Sequence, residues 1–292
     1  MKNNSLGYGN LSILFSFLLI FFLINLSNFF KDAYSEKSLI NIINDKTKEY
    51  TNFIAHAGGG YNLRAYTNSL SAVQNSLENG FKFIEIDLLS TKDNKIIGSH
   101  DWKSLKELCK NFTNISENYL YQDFVKCNSN LDLKLIDEFD IKKIMDDDKE
   151  DNIYFVTDQI QDFKLLAKNF SGYEKNMIVE AHNIINYFIA KKYFPHVSLT
   201  FNDGKRYEYF VKLFNVNFIV IKSSLVDKYK DFLSEYIKNN VIMAHTTNEK
   251  KFIDKNLDKY VTMFYTDFWN FNENKCTANV LDTSNNSPCH TY

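Results

Sequence analysis

From Phe53 onward, the chain alternates short apolar segments with longer segments of helical periodicity. Eight segments are predicted as strands: Phe53–His56, Phe83–Leu88, Ile153–Thr157, Met177–Ala181, Val197–Phe201, Asn217–Ile221, Val241–His245 and Thr262–Thr266. The predicted helices between them are Ser69–Asn79, Asp162–Asn169, Ile184–Tyr193, Tyr207–Phe214, Val226–Asn239 and Glu249–Leu257. Such alternation is typical of a parallel sheet covered by helices, and eight strands close a TIM (β/α)8 barrel. An open doubly wound sheet is the alternative, but the glycine motif GxGxxG does not follow the first strand.

The other segments frame this barrel, which we predict for residues 51–270. Residues 101–150 are predicted as an insertion after the second strand, and residues 271–292 as an asparagine-rich tail. Residues 31–50 are polar and helix-compatible, which predicts a juxtamembrane spacer. Residues 1–10 are predicted as a short cytoplasmic stub. Because one barrel can occupy about 250 residues, a single globular domain accounts for the length.

The N-terminal part of the chain contains a long apolar segment, residues 11–30, with the sequence LSILFSFLLIFFLINLSNFF. Twenty uncharged residues match the hydrocarbon thickness of a bilayer at about 1.5 Å rise per residue. A cleaved signal peptide is the alternative, but its apolar stretch usually has about 7–15 residues and ends at a small-residue cleavage site. The segment therefore predicts one transmembrane helix that anchors the protein, with secretion after signal cleavage as the alternative.

The four cysteines fall into two pairs that are close in sequence, Cys109 with Cys127 and Cys276 with Cys289. Zinc sites need tighter spacings such as CxxC, and the chain has none of these. The spacing predicts two disulfides, one in the insertion and one in the tail, with four free or buried thiols as the alternative. Disulfides persist in oxidising compartments, so this pairing predicts that the barrel lies outside the cytoplasm.

Composition excludes several classes of protein. The formal net charge is −2, whereas nucleic-acid binding is usually accompanied by an excess of basic residues. A hydrophobic share of 45% with 24% charged residues excludes an intrinsically disordered chain. The sequence predicts no nucleic-acid partner and no particular oligomeric state.

Two carboxylates occur two residues apart in the second predicted strand, at Glu85 and Asp87. Side chains alternate along a strand, so both point to the same face. Two unpaired buried charges are very costly, and a hard divalent cation with oxygen ligands, Mg²⁺ or Ca²⁺, is the simplest way to neutralise them. Pairing with a lysine is the alternative.

Two histidines are expected at the same place. Residues 92–95 have turn chemistry, and a two-residue turn centred on Asp93 and Asn94 would put His100 directly opposite Asp87. His56 ends the first predicted strand, beside the second, and barrel active sites lie at this carboxyl-terminal end. The sequence therefore predicts that two imidazoles and two carboxylates converge, which is a typical constellation for acid–base catalysis.

These residues resemble the motifs of the glycerophosphodiester phosphodiesterase family and its phospholipase C-like relatives, including the sphingomyelinase D-like barrels. The matching elements are His56-Ala57-Gly58, Asn68, Glu85-Ile86-Asp87, Asp93-Asn94 and His100-Asp101. Weaker similarity extends through Leu135–Phe139, Ala244–Asn248 and Phe264–Asp267.

The resemblance implies a metal-dependent phosphoric diester hydrolase. It implies that His56 and His100 act as general acid and base, without indicating which is which. It also implies that Asp158 joins the carboxylate pair as third ligand of one Mg²⁺ or Ca²⁺ ion, and that Asn68 lies at the substrate site. The implied substrate is a glycerophosphodiester, a lipid headgroup or a phosphodiester of a surface polymer.

Two departures concern the binding of phosphate. The arginine of the family's first motif is Ala57 here, and the lysine that follows the third ligand is replaced, with Gln159 or Ile160 at that place. Arg64 and Lys222 are predicted to supply the missing positive charge. The alternatives are a catalytically weakened barrel that binds phosphodiesters without turnover, and a glycosidase using Glu85 or Glu180 as acid.

Overall fold

The structure is a computed structural model that describes residues 36–45, 47, 49–109, 119–127, 129 and 133–277. None of the helices in these ranges combines the length and apolar character that crossing a bilayer requires. The predicted anchor at residues 11–30 and most of the predicted tail lie outside the described residues.

Eight parallel strands form a closed barrel, as predicted. They are β1 (Phe53–Ala55), β2 (Phe83–Ser90), β4 (Tyr154–Asp158), β5 (Met177–Ala181), β6 (His196–Phe201), β7 (Phe218–Lys222), β8 (Val241–His245) and β9 (Met263–Thr266). Each strand pairs with the next of this set along the chain, and β1 pairs with both β2 and β9, which closes the ring. The antiparallel β3 (Ile96–Gly98) extends from β2, and β10 (Trp269–Asn270) pairs with β11 (Lys275–Cys276).

Helices surround the barrel. They are α1 (residues 36–43), α2 (Leu70–Glu78), α3 (Trp102–Leu108), α4 (Tyr121–Val125), α5 (Glu138–Asp147), α6 (Phe163–Asn169), α7 (Ile184–Ala190), α8 (Lys205–Leu213), α9 (Ser223–Val226), α10 (Lys230–Tyr236) and α11 (Lys250–Asn256). The sequence predicts a single helix over Val226–Asn239, and the structure differs there. A 3-10 turn, Asp227–Tyr229, separates α9 from α10. The Tyr229 hydroxyl connects this turn to the loop between β6 and α8. It donates to Asp203 and accepts from the Gly204 amide.

The amino-terminal end of the barrel is closed by α1. Leu39 and Ile43 are fully buried and belong to the same apolar cluster as Ile54, Phe83 and Tyr154. Phe83 and Tyr154 are the first residues of their strands, so the cluster lies at the end opposite the predicted site. Residues 36–43, which the sequence assigns to the spacer, therefore pack directly against the barrel.

The register of the β2–β3 hairpin differs from the prediction by one residue. Leu88 pairs with Gly98, and the amide of Ser99 donates to the carbonyl of Asp87 at 2.9 Å. Ser99, and not His100, therefore lies opposite Asp87, so the predicted two-residue turn was wrong. The reason is Asn94, which adopts a left-handed conformation (φ 62°) and adds a third residue to the loop.

The predicted disulfide of the insertion, Cys109–Cys127, is present, with a Cα–Cα distance of 5.3 Å. It packs in a small apolar cluster with Leu105 and Phe124, apart from the barrel core. Cys276 is also disulfide-bonded, and its predicted partner Cys289 lies outside the described residues.

Candidate active site

The carboxyl-terminal ends of the strands carry a set of ionisable side chains. In parallel strands, paired residues lie at the same height, and Asp87 of β2 is paired with Asp158 of β4. Five further groups come from the same end of the barrel: His56, Glu85, Glu180, His182 and His245. Active sites of (β/α)8 barrels form at this end.

His56 is held by a residue that arrives from the far end of the chain. Its Nδ1 lies 2.9 Å from Oδ1 of Asp267, which directly follows β9. Asp267 is buried and also accepts from the side-chain amide of Asn248 at 2.8 Å. Because an ionised carboxylate only accepts, the Nδ1 of His56 donates, and Nε2 is left available for proton transfer.

The backbone after His56 connects this histidine to the carboxylate pair. Ala57 adopts a left-handed conformation (φ 49°), and its amide donates to Oε2 of Glu85 at 2.6 Å. Gly59 follows with φ 90°, and a Cβ there would lie 2.1 Å from Oγ of Ser76. The small residues after His56 therefore allow a tight turn that aims one amide at Glu85.

Glu85 and Asp87 are both buried, and the pKa of each carboxyl is raised. Burial is the main cause in both residues, and the nearby charge of Asp87 raises the pKa of Glu85 further. In the part of the chain that the structure describes, no lysine or arginine forms an ion pair with either carboxylate. The predicted alternative, neutralisation by lysine, is therefore not what the structure shows.

Asn68, predicted at the substrate site, bonds to Asp87 through both ends of its amide. Its Nδ2 donates to Oδ2 of Asp87 at 2.8 Å, and its Oδ1 accepts from the Asp87 amide at 2.9 Å. The bond from Nδ2 to the carboxylate opposes the effect of burial on the pKa of Asp87. Asn68 thus positions a carboxylate, whatever contact it makes with a substrate.

His100 reaches the same site despite the shifted register. Its Nδ1 lies 3.1 Å from Oδ2 of Asp101, the residue that caps α3. The Ser104 amide donates to Asp101 at 2.6 Å and lowers the pKa of that carboxyl to about 2. The ring of Tyr66 contacts both histidines, with centroid distances of 4.9 Å to His56 and 5.4 Å to His100.

Asp158 has a partner that the sequence did not indicate. Its Oδ1 lies 2.5 Å from Nε2 of His182, which follows β5, and also accepts from the Gln159 amide. Burial opposes ionisation of Asp158, but these hydrogen bonds hold its pKa below the ordinary value. The same bond raises the pKa of His182.

Two more inward-facing residues lie at this end of the barrel: Glu180, which the sequence suggested only as the acid of a glycosidase, and His245, which was missed as a site residue. Burial and the charge of Asp158 raise the pKa of Glu180 to about 8, and Thr200 donates to its carboxyl at 2.7 Å. Burial and nearby His56 lower the pKa of His245 to about 4. Their signal was the alternation of strand side chains, which places both on the inner face of the barrel near its carboxyl-terminal end.

The two predicted sources of positive charge lie in different places. Lys222 ends β7, is paired with His245, and lines a cavity of about 400 Å³ together with Ser223 and Thr246. Arg64 is exposed in a turn whose backbone pairs it with Tyr61. Lys222 therefore lies at the cavity beside His245, and Arg64, in the loop after β1, is not among the residues that line this cavity.

The carboxylates at the mouth of the barrel were compared with what a divalent metal ion requires of its ligands. Among the residues that the structure describes, no three histidine, cysteine, aspartate or glutamate side chains are gathered closely enough to hold an ion. Glu85 and Asp87 nevertheless offer carboxylate oxygens and carry uncompensated like charges, which a hard divalent cation would neutralise. Asp158, beside Asp87 in the register, is directed to His182 instead.

Two histidines, each bonded to an aspartate, lie beside buried carboxylates at the mouth of the barrel, and these are residue types that acid–base catalysis uses. The model of the "Glycerophosphoryl diester phosphodiesterase family" matches residues 56–268. The chain belongs to this family and is a phosphoric diester hydrolase.

Solved structures with similar folds include proteins named as glycerophosphodiester phosphodiesterases. A glycerophosphodiester phosphodiesterase from Parabacteroides distasonis is 16% identical, with a TM-score of 0.59 over 74% of this chain and 92% of that chain. An enzyme of the same name from Thermotoga maritima is also 16% identical, with a TM-score of 0.56 over 74% and 93%. A phosphodiesterase from Oleispira antarctica, solved with its product sn-glycerol-3-phosphate, is 14% identical, with a TM-score of 0.59 over 74% and 92%. No curated protein matches the chain.

Proposed function

We propose that the protein hydrolyses a glycerophosphodiester, or a related diester of a lipid headgroup or surface polymer, with the help of one divalent cation. The observation that carries the proposal is the connection of His56 to both halves of the site. Its ring is bonded to Asp267, and the next amide along the chain is bonded to Glu85. A proton-transfer group is thereby fixed beside a buried acidic pair.

The cation would be Mg²⁺ or Ca²⁺, held by Glu85 and Asp87, with Asp158 as the proposed third ligand. When bound, it would neutralise phosphate oxygens and polarise the phosphorus. Asn68 keeps Asp87 in place, and the Ala57 amide does the same for Glu85. Lys222 at the mouth is the proposed basic contact for the rest of the substrate.

The two histidines divide the proton transfers. One of His56 and His100 takes the proton from the attacking oxygen, and the other gives a proton to the alkoxide that leaves when the ester P–O bond breaks. The attacker is water or a neighbouring substrate hydroxyl, and the second case gives a cyclic phosphate first. The carboxylates of Asp267 and Asp101 orient the two rings.

We also propose that residues 11–30 anchor the chain and that the barrel lies on the extracytoplasmic side. The disulfide Cys109–Cys127 supports this location, because such bonds persist in oxidising compartments. Lipid and surface-polymer diesters would lie within reach of an anchored barrel.

The test uses the full chain with glycerophosphocholine as substrate and released sn-glycerol-3-phosphate as readout. Activity should disappear in EDTA and return with Mg²⁺ or Ca²⁺. His56→Ala should reduce kcat by roughly 100-fold or more. Asp267→Asn should reduce kcat, because the carboxylate that orients the His56 ring is lost, whereas the exposed control Asp254→Asn should match the wild type.

Other results would reject the proposal. Activity that is unchanged in EDTA and in His56→Ala would exclude the proposed site. Calorimetric binding of the diester with no product after long incubation would favour the alternative, a binding barrel without turnover.

A further inference from the structure

Two neighbouring outer helices carry an exposed apolar surface, which we call the α7–α8 patch. It consists of Ile185, Phe188, Ile189, Tyr209, Leu213 and Phe214. Ile185 is 69% exposed and Tyr209 63% exposed, and the rings of Phe188 and Phe214 meet edge to face at 5.0 Å across the two helices. The inner face of α7 is already packed through Tyr187 and Ala190. Because α7 is apolar on its outer face too, the patch needs a further apolar neighbour.

The patch lies beside the point where the N-terminal segment joins the described structure. Lys191, which directly follows α7, donates to Oε2 of Glu36 at 3.3 Å, and Glu36 is the first described residue of α1. Phe188 precedes Lys191 by three residues, which is roughly 5 Å along a helix. Residues 31–35 separate Glu36 from the end of the apolar segment, and five residues span at most about 18 Å. The length of the chain therefore allows the end of the apolar segment to reach the patch.

A bilayer covers this surface better than the apolar segment itself would. Residues 11–30 are apolar around the whole circumference of a helix, so docking on the patch would leave most of their surface in water. A bilayer buries the segment on all sides and leaves its interface next to residue 31.

The charges around the patch favour the same partner. Residues 183–214 contain five basic and two acidic residues, and α7 contains no acidic residue. Aromatic and aliphatic side chains flanked by lysine and arginine are typical of helices that lie in a membrane interface, where anionic lipids attract the basic groups.

We propose that the α7–α8 patch rests on the bilayer that the anchor enters, in contact with a partly anionic phospholipid surface. The barrel then lies on its side, with its mouth opening alongside the headgroups. The inference uses the anchor from the proposed function and is independent of the catalytic chemistry.

The test places a tryptophan in the patch of the full chain, reconstituted in vesicles of phosphatidylcholine and phosphatidylglycerol. Phe188→Trp is compared with Phe139→Trp on α5, where the native side chain has a similar exposure (44% and 48%). Trp102 and Trp269 emit in every variant, so the signal followed is the emission that each substitution adds to that of the wild type. Lipids with brominated acyl chains should reduce the emission added by Phe188→Trp about twofold, as expected for side chains that enter the headgroup boundary, and leave that added by Phe139→Trp unchanged. Turnover of a soluble diester, unchanged in both variants, verifies the fold.

Two outcomes would overturn the proposal. If acrylamide quenches both variants equally and brominated lipid quenches neither, the patch faces water. If Phe188→Trp is protected from acrylamide but insensitive to brominated lipid, protein covers the patch. Sedimentation after an alkaline wash separates the two hypotheses: a chain that leaves the vesicles refutes the anchor, whereas a chain that stays without quenching refutes only the patch.

Discussion

Glu85 and Asp87 are two buried carboxyls of like charge. The pKa of each is raised, because burial disfavours the ionised form. We expect Glu85→Gln and Asp87→Asn each to reduce metal-dependent turnover roughly 100-fold or more, because a bound cation supplies several kcal/mol. Unfolding free energy without divalent ions should stay the same or rise slightly, since one buried charge is removed. The measurement combines kcat with urea unfolding, and the exposed control is Glu78→Gln.

A variant at either position that loses its cooperative unfolding transition would assign that residue a structural role. Normal turnover in Glu85→Gln would remove it from the proposed ligand set. The two measurements are independent, because kcat reports on the reaction and urea unfolding reports on the stability of the metal-free protein.

His196 gives a prediction about pH. It begins β6 and is 2% exposed, and burial followed by the charge of Lys191 lowers its pKa to about 3. An unfolded histidine titrates near 6.5, so between these values the unfolded chain binds one more proton and stability falls as pH decreases. The loss is at most about 1.4 kcal/mol per pH unit. Urea unfolding at pH 5.0 and 7.5 should show this loss in the wild type and a smaller loss in His196→Leu. Equal losses in the two proteins would contradict the assignment.

At the scale of elements, the insertion depends on its disulfide. The bond joins Cys109, at the end of α3, to Cys127, after α4, and the apolar cluster around it is small. Removing it in the double variant Cys109→Ser/Cys127→Ser should lower the free energy of unfolding by roughly 3 kcal/mol through loop entropy. Urea unfolding of the oxidised wild type and the variant measures the difference. Coincident midpoints would show that the insertion gains its order without the bond.

Element boundaries illustrate what local sequence can specify. The predicted limits of β5 and β8 are those observed, because a short apolar run between polar segments defines a buried strand locally. The β2–β3 hairpin shifted by one residue because the backbone conformation of Asn94 sets the loop length. Asparagine permits that conformation but does not require it, so the pattern alone left the register undetermined.

For the whole molecule, α1 is the first described element, and it packs against the floor of the barrel. Leu39→Ala and Ile43→Ala should each lower the free energy of unfolding by about 2–5 kcal/mol, because both side chains are fully buried against the barrel floor. Lys37→Ala, at an exposed position of α1, should change it by no more than about 0.5 kcal/mol. Urea unfolding is the measurement, and kcat per folded molecule should be unchanged because the active site is at the opposite end. Wild-type stability in both core variants would show that α1 is dispensable.

The sequence by itself determined the barrel class and the main catalytic candidates. Periodicity is a local property, and so is the alternation that directs Glu85 and Asp87 to one face. The tertiary structure decided which side chains meet. Asp267 bonds to His56 across 211 positions of the chain, and His182 bonds to Asp158 from the next strand. Such contacts arise only when the strands close into a ring, because closure and register fix which strand ends become neighbours, and no local pattern contains that information.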